Sequence, residues 1–345
     1  MTFDDVSRFV FAPSTERASA TAVDVERNRI VGEVPLGMVP RQVLISRTEA
    51  KLIGTDGRSA AFTLTDLASA TVTSMAVPHA AERLVLGTSG WLLAVADLAG
   101  GAITLVDIRR GVALRRITGL PKLHDLLFVD QDAALFVAAD GWTSVAVFDV
   151  NTAELVRRIG PLSPGIVAFA RTPSGRSVLA IPDGATPPSV VDVASSRIVG
   201  TLGREAAADG VVPSGTGAFL FVPDNKGAQL RVYREGQGAS AADLRATPGM
   251  GAVYSAWLDS VAFVATAAQI LVYDLDELRP DGQLDLRGTP GQGGVTSDSR
   301  TLFVPLTSPP GLAVIDCQAR RVVATLPLPT PPLAAVVPGG WGLCH

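Results

Sequence analysis

The sequence predicts an all-β fold, a β-propeller of eight four-stranded blades, and three observations carry that prediction. First, an apolar run ending in aspartate returns about every 42 residues, at Asp24, Asp66, Asp107, Asp149, Asp192, Asp274 and Asp316, with Tyr233 holding the place between Asp192 and Asp274; the steps are 42, 41, 42, 43, 41, 41 and 42 residues. Second, each interval is filled with short runs of Val, Ile, Leu and Phe bounded by Gly, Asp, Pro or Ser clusters, the pattern of strands and turns. Third, 47% of the residues are hydrophobic, only 18% are charged, and the mean hydropathy is +0.32. Strands covered on both faces read as nearly continuous apolar runs, so stacked blades account for that composition.

The elements follow in chain order. Residues 8–34 supply three strands, RFVFAPS, ASATAVDV and RIVGEV, where a full blade needs four. The missing innermost strand is found at the far end, in PLAAVVPG at 332–339. The first blade is therefore predicted to close by pairing the two ends of the chain, which removes an open sheet edge. Residues 122–160 give one complete repeat: KLHDLLFVD as inner strand a, the turn QDA, ALFVAAD as strand b, GWTSVAVFDV as strand c, the turn NTAE, and LVRRIG as outer strand d. The order recurs at 164–202 with GIVAFA, TPSG, RSVLAIPDG, PPSVVDV and RIVGTL. Pro-Ser-Gly and Asp-Gly supply the φ restrictions that tight reversals need. A seven-bladed alternative would make one repeat mere decoration, and only the Tyr233 copy is degenerate enough for that. Length alone suggests two domains, but the unbroken beat argues for one domain over residues 1–345.

FVAADGWTSVAVFDVNTAELVRRI (136–159) and RTPSGRSVLAIPDG (171–184) resemble the YVTN repeat family, whose best-known members are YncE-like seven-bladed propellers. The likeness covers nearly the whole chain. It departs in having Asp at the corner where the family has Asn, and in Tyr233, where the turn aspartate is lost. The resemblance implies a binding platform and specifies no activity, since propellers host enzymes, scaffolds and sensors alike.

Several classes are disfavoured. A net charge of −4 argues against a general nucleic-acid binder. The longest apolar stretch, residues 84–106, is broken every few residues by Gly, Asp, Ser or Thr, so no membrane helix is expected. MTFDDVSRFVF has acid where a signal peptide needs base, and Cys317 and Cys344 make no disulfide framework; both point to the cytoplasm. There is no Cys-x-x-Cys-His, phosphate loop or nucleophile elbow.

Three series of polar residues remain. The repeating Asp sits where strand c turns into strand d and is expected to accept backbone N–H groups there. A second series ends strand b: Ser14, Asp56, Asp97, Asp140, Asp183, Asp224, Thr266 and Thr307. Turn capping again accounts for it, while the five aspartates together allow an acidic collar for a cationic ligand. A third series opens strand a on the same face: Arg41, Glu82, His124, Gly165, Asp209, Gly251, Gly293 and a position at Pro332/Leu333. Ionisable groups on one side and glycines on the other suggest a ligand pocket, with His79 near the same rim. His124, Glu82 and Arg41 are the candidate catalytic residues, His124 as base and Arg41 steadying a carboxylate. Asp209, His79 and the five aspartates are the candidate ligand contacts.

The expected function is a ligand- or partner-binding platform at the top face. The alternative is a channel-mouth lyase or hydrolase, lactonase-like, acting on a small anionic or lactone substrate. No cofactor is expected, although His124, Glu82 and Asp209 offer a ligand set for a divalent metal. The expected partner is a small molecule or a protein, with no nucleic acid or membrane, and the chain is expected to be a monomer.

Overall fold

The computed structural model describes the chain apart from residues 1–2, 4, 163–164, 173, 184–185, 204–210, 235–236, 238, 268 and 341–345; Asp209 and Cys344 therefore lie outside the described residues. Among the described residues a 3₁₀ turn, Val6–Arg8, leads into 31 strands. Blade I holds β1 (Phe9–Pro13), β2 (Ser19–Asp24) and β3 (Arg29–Pro35); blade II holds β4 (Gln42–Ser46), β5 (Lys51–Thr55), β6 (Ala61–Asp66) and β7 (Thr71–Ala76). Blade III holds β8 (Arg83–Leu86), β9 (Leu92–Asp97), β10 (Ala102–Asp107) and β11 (Val112–Ile117); blade IV holds β12 (Leu123–Val129), β13 (Ala134–Ala139), β14 (Val145–Asp149) and β15 (Leu155–Ile159). Blade V holds β16 (Ile166–Arg171), β17 (Ser177–Pro182), β18 (Ser189–Asp192) and β19 (Arg197–Thr201); blade VI holds β20 (Val212–Pro213), β21 (Phe219–Asp224), β22 (Gln229–Arg234) and β23 (Ser240–Arg245). Blade VII holds β24 (Val253–Ala256), β25 (Val261–Ala265), β26 (Gln269–Asp274) and β27 (Arg279–Asp285); blade VIII holds β28 (Gly294–Val295), β29 (Thr301–Thr307), β30 (Pro310–Asp316) and β31 (Arg321–Pro327). Every sheet is antiparallel in simple meander order, and the fold is an eight-bladed β-propeller. Among the described residues no helix is long and apolar enough to cross a membrane.

Blades VII, VIII, I and II form one compact unit, residues 1–81 with 249–345; blades III to VI, residues 82–248, form the other. In the first, the ends of the chain meet as the strand count requires. Phe11 and Val336 exchange N–H···O bonds of 3.0 and 2.8 Å, and the Leu333 N–H donates to the Pro13 carbonyl at 2.7 Å. Thr330 Oγ1 lies 2.8 Å from Ser14 Oγ, and Val10, Ala12, Ala335 and Val337 share a buried cluster with blade VIII.

Strand alternation explains the apolar composition. On β13, Leu135, Val137 and Ala139 pack toward blade III, whereas Phe136 and Ala138 pack toward blade V. Both faces of a middle strand are thus core, and each alternate set must be apolar. The outer strand β15 shows the opposite extreme, with four of its five residues exposed.

The repeating aspartate caps the turn from strand c to strand d. Asp149 Oδ1 accepts the N–H groups of Asn151 and Thr152 at 2.8 and 2.9 Å. Asp24, Asp66, Asp107, Asp192, Asp274 and Asp316 accept the corresponding turn N–H groups. At Tyr233 the cap is replaced by a ring buried in the cluster between blades V and VI. Just beyond this turn, seven of the eight outer strands carry a one-residue bulge, which leaves Val31, Leu114, Val156, Val199, Ala241, Asp281 and Val323 without partners on strand c. Only β7 runs through six pairs with β6 unbroken.

Candidate functional site

In the unit of blades III to VI, the first strands of consecutive blades, β8, β12, β16 and β20, lie side by side as the inner wall. The upper end of this wall is irregular in blades IV and V. Leu123 pairs with Ala139 and Asp125 with Ala138, so His124 is an inserted residue with no partner across the ladder. The same slip occurs one blade on: Ile166 pairs with Pro182 and Ala168 with Ile181, leaving Val167 unpaired and 37% exposed. Bulges of this kind re-aim a side chain. His124 is turned onto the strand-end aspartate of its own blade, its Nε2 lying 2.8 Å from Asp140 Oδ1.

This pairing changes how the candidate residues relate. Asp56, Asp97 and Asp224 each use Oδ1 to accept backbone N–H groups of the following turn, from Arg58 and Ser59, from Gly100, and from Gly227. Asp224 also pairs with Arg231 at 3.0 Å. Burial acts to raise the Asp56 carboxyl, but hydrogen bonds from Ser59 and Arg58 hold it below the ordinary value. Three of the five aspartates are therefore turn caps. Asp140 departs from the rule because His124 claims it, and Asp183 is exposed with no side-chain partner among the described residues.

The alignment of the third series needs a correction. The residue just before the first pair of strand a is Arg41 in blade II, Glu82 in blade III, Lys122 in blade IV and Gly165 in blade V. Lys122, not His124, occupies the step of Arg41 and Glu82; its carbonyl accepts the Asp140 N–H as the Gly165 carbonyl accepts the Asp183 N–H. Glu82 spends one carboxylate oxygen on its own blade, accepting the Ala99 N–H at 2.9 Å. Gly293 does not open a cavity either. A Cβ there would lie 2.5 Å from the Phe303 carbonyl oxygen, and its N–H donates to Tyr254 Oη at 2.7 Å.

Beside His124 is a group the sequence reading noted only in passing. Asp125 is buried, 5% exposed; its Oδ2 accepts the Phe169 N–H of blade V at 2.8 Å, and its Oδ1 lies 3.1 Å from Arg83 Nη2 of blade III. Desolvation pushes the Asp125 carboxyl above its ordinary value, partly opposed by the Arg83 charge and the Phe169 and Leu126 N–H groups. One carboxylate thus ties three inner strands together. Below it, Val85, Leu127 and Phe169 are partly exposed apolar residues of the same wall. Trp142, in the loop after Asp140, is capped by the Arg158 guanidinium 4.0 Å from its ring centre.

In the other unit, Arg41 is exposed just before β4, its N–H donating to the Thr55 carbonyl at 2.7 Å. His79 is 9% exposed, with Nδ1 2.8 Å from the Ala80 carbonyl. Among the described residues no three His, Cys, Asp or Glu side chains are placed to hold a metal ion, and the set of His124, Glu82 and Asp209 cannot be followed to its third member. Cys317 is buried and free, and burial pushes its thiol up.

What the arrangement can do chemically follows from His124. A carboxylate bonded to Nε2 favours the ring N–H there, leaving Nδ1 to accept a hydrogen bond.

No protein-family model and no curated protein sequence matches the chain. Solved structures do. A dihydro-heme d1 dehydrogenase, NirN, in complex with DHE is similar over 95% of this chain and 74% of its own, with a TM-score of 0.78 and 16% identity. Apo AztD from Citrobacter koseri covers 96% of this chain and 98% of its own, with a TM-score of 0.74 and 11% identity. Hydrazine synthase from Kuenenia stuttgartiensis matches 80% of this chain and 95% of its own, with a TM-score of 0.59 and 18% identity. At such identities the likeness is one of fold: this chain shares the propeller architecture of these proteins.

Proposed function

We propose that the protein is a platform that binds a small molecule at the upper ends of the inner strands of blades III to V. The observation that carries this reading is the bulge in β12 that takes His124 out of the ladder and orients its ring on Asp140. Packing gains nothing from an unpaired histidine at a strand end, and such irregularities concentrate where a side chain has a task. The Arg83–Asp125 pair next to it in the wall, with the partly exposed apolar Val85, Leu127 and Phe169, suits a compact ligand with polar and apolar parts. A neighbour of the same fold was solved with DHE bound, which is consistent with a small-molecule partner. Kinship with YncE-like propellers belongs to the same proposal, resting on the repeat pattern, as does a cytoplasmic location, resting on the scarcity of cysteine.

A second reading is favoured by the same dyad: a lyase or hydrolase in which His124 is the base, Asp140 positions it, and a nearby cation steadies a carboxylate or enolate. Calorimetric titration of a library of small carboxylates, lactones and amines against the wild type and His124→Ala, with turnover followed on the same compounds, separates the two. Binding lost with His124→Ala and no turnover by the wild type supports the platform. Turnover lost with His124→Ala supports the enzyme. Affinity and turnover unchanged in a folded His124→Ala protein would remove the site from both.

A further inference from the structure

A sheet edge is a template for another strand, and this fold has an outer edge on every blade. Seven of the eight are guarded twice. Their outer strands carry the bulge described above, and each also carries charge: Arg29 and Glu33 in β3, Arg115 and Arg116 in β11, Arg157 and Arg158 in β15, Arg197 in β19, Asp243 and Arg245 in β23, Arg279, Asp281 and Asp285 in β27, and Arg321 in β31. Proline is added at Pro35, Pro280 and Pro327. β7, Thr-Val-Thr-Ser-Met-Ala, has no bulge, no charge, no proline and no glycine. Thr71, Thr73, Ser74 and Ala76 are exposed, and the strand opens with the β-favouring Thr-Val-Thr. Val72 is braced from the face: a Cβ on Gly37 would lie 2.7 Å from Val72 Cγ1, so the chain after β3 lies directly against it. The seven guarded edges are the internal comparison, because they come from the same repeat in the same chain.

We propose that β7 is a self-association edge: two copies of this chain pair it antiparallel, centred on Thr73, to form one continuous eight-stranded sheet. A two-fold axis perpendicular to a sheet pairs residues whose numbers sum to a constant even value, so Thr73 meets Thr73 of the second copy, Val72 meets Ser74 and Thr71 meets Met75. No like charges oppose each other, and a cross-strand threonine pair is a favourable one. The same operation on β15, centred on Arg157, would set two arginines face to face. A second copy is therefore the occupant that this edge fits without any further charge or shape requirement. The proposal is independent of the ligand-binding reading.

Sedimentation velocity on the full-length chain tests it over about 10–500 µM, the range in which a pairing this small should associate. The wild type is expected to dimerise, and Thr73→Lys, which sets two charges opposite each other, to weaken the dimer at least about tenfold without lowering the melting temperature. A wild type that stays monomeric throughout that range overturns the proposal, as does a dimer that Thr73→Lys leaves unchanged. Register is tested by oxidation in a Cys344→Ser background. Thr73→Cys should cross-link to itself, its Cβ atoms being about 5 Å apart, whereas Thr71→Cys should not, since two copies of residue 71 are separated by four residues, about 14 Å. The opposite result would refute the pairing.

Discussion

Replacing Asp132 with Ala should remove a clamp of three hydrogen bonds between blades III and IV. The residue ends a turn in which Asp130, Gln131 and Asp132 all have left-handed backbone, with φ of 51, 52 and 69°. Such conformations cost on the order of 1 kcal/mol each for non-glycine residues, so something must hold the turn in place. The carboxylate does so: 6% exposed, it reaches from blade IV into the corresponding turn of blade III and accepts Thr88 N–H at 2.8 Å, Thr88 Oγ1–H at 2.9 Å and Ser89 N–H at 2.7 Å. Hydrogen bonds to a charged acceptor contribute about 1.5–3 kcal/mol each, and the desolvated carboxylate gives part of that back, so a net loss of about 3–4 kcal/mol is expected. Asp132→Asn should lose about half as much, since its amide oxygen still accepts while its NH₂ faces a donor. The same geometry explains Gly87, where a Cβ would lie 2.5 Å from Asp132 Oδ2. Gly87→Ala should therefore destabilise by expelling the carboxylate, and its effect should be sub-additive with Asp132→Ala. Urea unfolding of the wild type, both single variants and the double variant gives the cycle. A loss under about 0.5 kcal/mol for Asp132→Ala, or strict additivity, would refute the clamp.

Three further outcomes follow from the structure. Asp149→Ala loses two N–H bonds at an exposed turn and should cost about 1–2 kcal/mol in denaturant unfolding; no change would mean water replaces the cap. Asp125 has a carboxyl raised in the folded state, so its contribution to stability is present at low pH and declines as pH rises from 3.8 through the folded value; the stability of Asp125→Asn relative to the wild type should rise over that interval. A difference that is flat or falls over that interval would contradict the sign. Removing residues 331–345 strips Val336 and Val337 from blade I and the innermost pairing from β1, and should cost about 3–6 kcal/mol by the midpoint of unfolding. Unfolding indistinguishable from the full chain would mean that the tail does not close the blade.

The repeat was legible because each of its signals is local. The aspartate of LVDI or VFDV caps a turn two or three residues away, and strands such as ALFVAA declare themselves by composition. The closing tail was legible by counting, since residues 8–34 lacked a strand that 332–339 could supply. The candidate site was harder to read, for a reason that can be located. Sequence alignment measures distance from the strand-end aspartate, and it set His124, 16 residues before Asp140, beside Glu82, 15 residues before Asp97. The first inner pair, however, spans Leu123 to Ala139 in blade IV and Arg83 to Ala96 in blade III, so the hairpin in blade IV is longer. The surplus lies in a longer ladder, six pairs against four, and in the one bulged residue, while the connection is shorter, 130–133 against 87–92; composition does not divide ladder from bulge. The physical cause is that a strand's side-chain direction alternates every residue, so one inserted residue decides which wall a histidine faces.

The glycines of the third series differ among themselves, while the guarded edges share one rule. A Cβ on Gly293 would meet the Phe303 carbonyl of its own blade and Tyr254 of blade VII, the latter invisible in its own blade's sequence, whereas Gly165 and Gly251 have nothing nearer than 3.9 and 3.7 Å. On the outer strands, by contrast, nothing lies beyond the edge, and what each sequence carries there is set by solvent and by other molecules. Arg157 in β15 and Pro280 in β27 stand at such edges, whereas β7 carries neither charge nor proline. In a repeat protein the core positions converge because every blade solves one packing problem. The departures from that common solution, the inner-strand bulge that blade IV shares with blade V and fills with His124, and the unbroken β7 outside, are therefore where the function of this chain is to be sought.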